Sequence, residues 1–152
     1  MKAVIQRVED ACVTVDGSVK GSINEGLLVY LGVAHDDSET DAQWLAEKTA
    51  YIRIFEDSQG KMNLSLKDIV ENKPSAGVLA VSQFTLLADA RKGRRPSYGF
   101  AAPLEKAKKL YEYFMAKIRE HGLLCESGEF QAHMKVSYTN VGPVTILLDS
   151  KD

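Results

Sequence analysis

Residues 3–32, AVIQRVEDACVTVDGSVKGSINEGLLVYLG, decide the fold, because they consist almost entirely of β-strand signals. Apolar and polar residues alternate up to Asp16-Gly17, a dipeptide that strongly indicates a β-hairpin. Residues 18–23 supply the return strand. Residues 26–32, GLLVYLG, are apolar enough for a strand that is buried on both faces. The sequence therefore predicts a hairpin followed by a central, buried strand.

The rest of the chain adds two helices and three further strands. Ser38 precedes Asp41 in the spacing of a capping box, which predicts a helix start. Pro103 suits the first turn of a second helix, whose apolar stripe ends near Gly122. The remaining strands are predicted at residues 78–81, 134–138 and 144–148.

Strands outnumber helices, and the helices are too few to cover both faces of a sheet. The predicted fold class is therefore α/β and β-rich, with sheet packed on sheet and the helices on one outer side (three-layer β/β/α). No repeat, linker or low-complexity tract interrupts the chain, so residues 1–152 are expected to form a single domain.

Composition favours an ordinary globular protein of the cytoplasm. The chain is 45% hydrophobic and 26% charged, and no apolar run approaches the roughly 18 residues that span a bilayer. Charged residues interrupt the N-terminal segment, which therefore does not resemble a signal peptide. The net charge of −2 provides no global attraction for nucleic acid, so any RNA contact must come from a local patch.

Metal and cofactor motifs are not found. The three histidines, His35, His121 and His133, stand alone, and no Cys-x-x-Cys or glycine-rich phosphate loop occurs. Cys12 and Cys125 lie in strand-like runs without basic neighbours, which is typical of buried, unreactive thiols. We expect neither a metal nor a cofactor.

The first candidate site is Ser82-Gln83-Phe84-Thr85, directly after the predicted strand 78–81. Polar groups at the end of a buried strand can face a cleft on a rigid backbone. Free backbone N–H groups there could form an oxyanion hole. The alternative is an ordinary strand end with solvated side chains.

The second candidate is the basic loop, residues 91–96 (RKGRRP), followed by Tyr98 and Phe100. Its cations suit phosphate groups, and the aromatic rings could stack on unpaired bases. A solvated loop or a nuclear-localisation signal would have the same composition.

The third candidate is Gly142-Pro143, where glycine permits close approach of the backbone to a ligand. An ordinary turn is the alternative there.

Together these segments resemble the D-aminoacyl-tRNA deacylase family over nearly the whole chain. Residues 82–86 match its SQFTL motif, residues 93–97 its G-x-R-P-S segment and residues 140–145 its N-x-G-P-V-T motif. Residues 4–8 look like its opening strand. A related group of deacylases has Pro-Gln-Ala-Thr-like residues at the first motif, so Phe84 indicates the D-specific branch. Val141 departs from the pattern, because this position is often acidic in the family.

The resemblance implies a homodimer of β-rich subunits with the active sites at the interface. Each site would cleave the ester of D-aminoacyl-tRNA and glycyl-tRNA, and reject L-aminoacyl-tRNA. The implied catalytic residues are Ser82, Gln83, Phe84 and Thr85. The implied chiral-selection residues are Gly142 and Pro143, in a cis peptide directed into the partner's site, with Arg7 holding the turn. The implied tRNA-binding residues are Lys92, Arg94 and Arg95.

Two mechanisms and two other functions stay open. Thr85 could be a nucleophile, but no base lies beside it in the sequence, which favours attack by water assisted by the 2′-hydroxyl of the terminal adenosine. A nucleic-acid-binding protein without catalysis would use the same basic loop. A hydrolase of small D-amino acid esters would act without the tRNA body.

Overall fold

A five-stranded mixed sheet organises the protein, whose computed structural model describes residues 1–152. Its strand order is β6-β5-β2-β1-β7, and β3 and β4 form a separate two-stranded sheet. The β1 strand is antiparallel to β2 and β7, whereas β5 is parallel to β2 and β6. The strands are β1 (Lys2–Val15), β2 (Ser18–Gly32), β3 (Phe55–Glu56), β4 (Met62–Leu64), β5 (Gly77–Ser82), β6 (Leu124–Ser127) and β7 (Lys135–Asp149).

Three α-helices and one 3₁₀ turn complete the fold: α1 (Glu39–Tyr51), α2 (Leu66–Ile69), the turn Phe84–Leu87 and α3 (Leu104–Glu120). The predicted capping box of α1 is confirmed, since Ser38 N donates to Asp41 Oδ2 at 2.8 Å. The α3 helix begins one residue after Pro103, which is its N-cap. No helix is both long and apolar enough to cross a membrane.

The larger hydrophobic core lies between one face of the sheet and the helices. It joins alternate residues of β1, β2 and β5, such as Ile5, Val29 and Ala80, to buried residues of the helices, such as Leu45 and Phe114. This arrangement places the helices on one side of the sheet, as the sequence predicts.

A second, smaller core lies on the opposite face of the sheet. It joins Val13 and Ile23, from the hairpin end of β1 and β2, to Leu79 and Val81 of β5. Because β5 pairs only with residues 26–31 of β2, the hairpin end must fold back over the sheet. The two predicted β layers are thus two parts of one folded sheet that does not close into a barrel. The β-rich fold class with helices on one side is confirmed.

Candidate active site

The 3₁₀ turn at residues 84–87 follows directly from the end of β5. Gln83 N donates to Leu31 O at 2.8 Å, which keeps the chain beside β2 for one more residue. The turn then closes through a bond from Leu86 N to Gln83 O at 3.2 Å. As its first two residues, Phe84 and Thr85 have backbone N–H groups without partners inside the turn, and no side chain caps it. Two backbone donors are therefore available side by side.

An apolar cavity of about 400 Å³ opens beside these donors and is lined by Ser82, Gln83 and Phe84. Hydrophobic residues make up 13 of its 17 lining residues, and they include Leu104 and Tyr111 of α3, with Phe130, Met134 and Val136. The sequence does not predict this cavity, because the apolar stripe of α3 has the pattern of a core helix throughout. In the structure the stripe has two roles, since Leu104 lines the cavity and Phe114 is fully buried.

The hydroxyl of Thr85 has no general base. Its side chain is exposed, and its Oγ1 accepts a hydrogen bond from the Gln83 amide. No imidazole or carboxylate is hydrogen-bonded to it, so nothing activates it as a nucleophile. The turn therefore presents unpaired backbone donors but no activated side-chain nucleophile.

Residues 141–143, which we call the Gly-Pro turn, interrupt the ladder between β1 and β7. Gln6 pairs with Thr145 and Val8 with Asn140, so residues 141–144 stand opposite Arg7 alone. The two strands that the sequence predicts here are one strand with a protrusion. Gly142 and Pro143 are exposed, and the peptide bond between them is cis.

Side chains on both flanks hold the Gly-Pro turn. Asn140 Oδ1 accepts from Val144 N at 3.2 Å, and Asn140 Nδ2 donates to Thr145 Oγ1 at 3.1 Å. The Gln6 amide donates to the same hydroxyl at 3.1 Å. The N-x-G-P-V-T motif therefore contains side chains, Asn140 and Thr145, that support its own turn, a role that the sequence alone does not indicate.

Arg7 fixes the Gly-Pro turn from the other side and is 8% exposed. Its Nε donates to Val141 O at 3.2 Å, and its Nη1 donates to Ile54 O at 2.8 Å. Nη2 lies 3.5 Å from a carboxylate oxygen of Glu56. The guanidinium group thus connects the turn to the chain segment that enters β3. The contact between Arg7 and the turn has the form expected from the resemblance, and its role in selection stays a prediction.

Within one chain the Gly-Pro turn and the apolar cavity lie far apart. Ser82 is in register with Leu31 and, across the sheet, with Ala3, whereas the turn is opposite Arg7. Four residues along the strand and three strand spacings across the sheet correspond to roughly 20 Å. The structure therefore groups Ser82 to Thr85 in one place, and Arg7, Gly142 and Pro143 in another.

The basic loop is a separate excursion beside the 3₁₀ turn. Its base is closed by two backbone hydrogen bonds between Asp89 and Ser97, at 2.8 and 2.9 Å. Arg91 is engaged within the loop, since its guanidinium hydrogen-bonds the Asp89 carboxylate and lowers the pKa of that group to about 2. Lys92, Arg94 and Arg95 are exposed and form no ion pair. Three cations are therefore free to bind an anionic partner.

The other polar candidates lie outside this region. No three His, Cys, Asp or Glu side chains gather in a geometry suited to a metal ion. Cys12 and Cys125 are free thiols on β1 and β6, and burial raises the pKa of Cys125 to about 11. Of the histidines, His133 lines the apolar cavity, whereas His35 and His121 do not.

A site of unpaired backbone donors beside an apolar cavity, with no nucleophile–base pair, suits a hydrolase whose substrate is already reactive. Comparison with known proteins identifies the family. The model of the D-Tyr-tRNA(Tyr) deacylase family matches residues 4–149. The chain belongs to this family, as the sequence predicts, and the predicted enzyme class, a deacylase, is confirmed.

Individual relatives agree with this result. The D-aminoacyl-tRNA deacylase of Koribacter versatilis is 59% identical over 151 residues, which cover 99% of this chain and 98% of that protein. The D-aminoacyl-tRNA deacylase of Thermotoga petrophila is 55% identical, with 99% and 97% coverage.

Two solved structures have similar folds. The c-Myc DNA Unwinding Element Binding Protein superposes with a TM-score of 0.86 at 37% identity, covering 98% of both chains. A probable eukaryotic D-amino acid tRNA deacylase superposes with a TM-score of 0.82, and the match covers 97% of both chains. Its sequence identity is 16%, so it supports the fold alone.

Proposed function

We propose that the protein hydrolyses the ester bond between a D-amino acid and the 3′ end of tRNA, and that it also accepts glycyl-tRNA. The observation that carries this proposal is the pair of backbone N–H groups at Phe84 and Thr85 beside the apolar cavity. A cavity of about 400 Å³ is within the range of small-ligand sites and suits the terminal nucleoside. The names of relatives at 55–59% identity support the substrate class.

In the proposed reaction, water attacks the carbonyl carbon of the ester. The 2′-hydroxyl of the terminal adenosine assists the transfer of a proton from this water. The N–H groups of Phe84 and Thr85 stabilise the negative charge that develops on the carbonyl oxygen, while Ser82 and Gln83 shape the cleft. The bond from the carbonyl carbon to the 3′-oxygen then breaks, and that oxygen takes the proton. Since each oxyanion donor contributes about 10²–10³ in rate in other enzymes, no catalytic side chain is required.

Chirality is proposed to be judged by exclusion. The backbone carbonyl groups of Gly142 and Pro143 leave room for a hydrogen on one side of the α-carbon, but not for an L side chain. Such selection by a clash is independent of the identity of the D side chain. Glycine has no side chain to exclude, so glycyl-tRNA is also a substrate.

The excluding turn is proposed to come from a second subunit of a homodimer. A chain's own Gly-Pro turn is roughly 20 Å from its apolar cavity, which is too far for both to contact one aminoacyl group. The β7 strand forms an edge of the sheet, and an exposed edge is a common pairing surface. On this strand Leu147 is 77% exposed and Tyr138 is 36% exposed. Extending the sheet beyond β7 would move the partner's turn farther from the cavity, so the partner must instead lay this exposed surface of β7 over the cavity; a two-fold axis then gives each cavity the partner's turn.

The basic loop is proposed to bind the acceptor arm of the tRNA. Lys92, Arg94 and Arg95 are free of acidic partners, and the loop begins a few residues after Thr85. Phosphate groups that precede the terminal adenosine would therefore meet these cations.

The test is a deacylation assay of the purified protein with D-tyrosyl-tRNA, L-tyrosyl-tRNA and glycyl-tRNA. We expect rapid release of D-tyrosine and glycine, and no release of L-tyrosine above the spontaneous rate. A D-tyrosyl-tRNA that ends in 2′-deoxyadenosine is the control for the assisting hydroxyl, and its hydrolysis should be severely reduced. Cleavage of L-tyrosyl-tRNA at the D rate would refute selection by exclusion.

A second candidate function is nucleic-acid binding without catalysis. The similar structure named as a DNA-unwinding-element-binding protein favours this candidate, as does the unpaired basic loop. The deacylation assay, combined with an electrophoretic mobility-shift assay, separates the two functions. A binding protein without catalysis would shift tRNA and leave the ester intact.

A further inference from the structure

Phe84 and Tyr98 form an aromatic pair on the surface beside the apolar cavity. Their ring centroids are 5.0 Å apart and the planes meet at 60°, an edge-to-face arrangement. Phe84 is 59% exposed and Tyr98 is 40% exposed. Large aromatic side chains that pair with each other outside a core are typical of a binding surface.

The position of the pair relates it to both parts of the site. Phe84 lines the apolar cavity and begins the 3₁₀ turn. Tyr98 follows Ser97, the residue that closes the basic loop through its hydrogen bonds with Asp89. The pair therefore adjoins the cavity through Phe84 and the base of the loop that carries Arg94 and Arg95 through Tyr98. An aromatic platform next to free cations is the combination that binds a single-stranded nucleotide, since the ring stacks on the base and the cations contact the phosphate.

We propose that Phe84 and Tyr98 form a stacking platform for the base of the nucleotide that precedes the terminal adenosine. This inference rests on the proposed function, which places the terminal nucleoside in the cavity. A strand that leaves the cavity past Phe84 presents its next base to the pair and its phosphates to the basic loop. The platform requires an unpaired base, because a base within a duplex is stacked on its neighbours. Tyr98 is a positioning residue in this proposal, because it does not touch the reacting ester.

The test is a double-mutant cycle, in which the tyrosine ring of the protein and the base of the ligand are removed separately and together. The ligand is a minihelix with D-tyrosine joined to its 3′ end by an amide, carrying either the normal preceding base or an abasic nucleotide. We expect removal of the base to weaken binding to the unsubstituted protein about tenfold. Tyr98→Leu should bind both ligands equally, and Tyr98→Phe should restore the difference. Tyr51→Leu is the matched control, because Tyr51 is 48% exposed at the end of α1, and should behave like the unsubstituted protein.

Hydrolysis gives an independent measurement. Tyr98→Leu should raise KM for D-tyrosyl-tRNA about tenfold and leave the hydrolysis of D-tyrosyl-adenosine, which lacks the preceding nucleotide, unchanged. An equal loss with both esters, or the same effect of base removal in the unsubstituted and Tyr98→Leu proteins, would overturn the platform. If the unsubstituted protein cleaved neither ester but the binding cycle still coupled Tyr98 to the base, the proposed function would fail and the platform would stand.

Discussion

The backbone N–H of Phe84 is the donor whose contribution can be isolated most cleanly by substitution. Proline lacks this N–H and is tolerated at the first residue of a helical turn. Gln83 before it, with φ −143° and ψ 80°, lies outside the α region that a following proline disfavours, so proline is compatible with this position. We predict that Phe84→Pro lowers kcat for D-tyrosyl-tRNA by about 10²–10³ relative to Phe84→Ala, which retains the donor. Single-turnover deacylation measures both variants.

Thr85→Ala completes this comparison, because it removes the hydroxyl and retains the second donor. Its rate should remain within a few-fold of the unsubstituted rate if the backbone performs the chemistry. Near-complete loss in Thr85→Ala, with Phe84→Pro no worse than Phe84→Ala, would instead indicate a threonine nucleophile.

At the scale of elements, Gly32 sets how closely the 3₁₀ turn packs against β2. A Cβ at Gly32 would lie 3.0 Å from Gln83 O and would overlap the buried side chain of Leu87. We predict that Gly32→Ala displaces the turn, destabilises the protein by about 1–3 kcal/mol and lowers deacylation further than the lost stability explains. Thermal unfolding and kcat are the measurements. The matched control is Gly99→Ala, where the nearest atom to the added Cβ, Ser97 Oγ, is 3.7 Å away. Full activity in Gly32→Ala would show that close packing of the 3₁₀ turn against β2 is not critical for deacylation.

The Gly-Pro turn is the second element whose support can be tested. Arg7→Lys retains the positive charge but loses the planar group that reaches Val141 O and Ile54 O together. We predict that the ratio of kcat/KM for D-tyrosyl-tRNA to that for L-tyrosyl-tRNA falls at least about tenfold, while the D rate changes only a few-fold, because the cavity is intact. Arg53→Lys is the control, since Arg53 donates to Asn63 O in the same part of the fold. A selectivity unchanged from the unsubstituted protein would exclude Arg7 as the support of the turn.

Local sequence patterns predict part of the fold and of the candidate site, and tertiary packing decides the rest. The first hairpin, the capping box of α1 and the SQFT segment are local patterns, so their positions could be predicted from the residues alone. The short elements β3, β4 and α2 are not predicted, and the two strands expected within residues 18–32 are one strand, β2. The apolar cavity could not, because Leu104 and Phe114 belong to one helical stripe and only the packing of the sheet decides which of them faces a cavity. Likewise, residues 83–98, between the end of β5 and Tyr98, contain no pattern that predicts the pairing of Phe84 with Tyr98. The proximity of the two rings depends on closure of the loop by Asp89 and Ser97.

At the scale of the whole molecule, one sheet carries the two proposed functional regions on different strands, one at the end of β5 and the other in the middle of β7. The end of β5 presents the backbone donors, and the protrusion in β7 presents the Gly-Pro turn. Under the proposed function, a monomer would have a cavity without selection and a turn without a cavity. The proposed dimer, in which the exposed surface of β7 covers the partner's cavity, would combine the two regions and would give stereoselectivity to an enzyme with little side-chain chemistry.

If each cavity depends on the partner's turn, two subunits with different defects should complement each other in a mixed dimer. Phe84→Pro subunits have a defective cavity and an intact turn, whereas Arg7→Lys subunits have an intact cavity and a loosened turn. Homodimers of the first should be inactive, and homodimers of the second should cleave both D- and L-tyrosyl-tRNA. When the two are refolded together with the first in excess, most Arg7→Lys cavities pair with an intact turn, so L cleavage should fall while D cleavage persists. If each turn served its own chain's cavity, added Phe84→Pro subunits would leave the D-to-L ratio of the mixture unchanged.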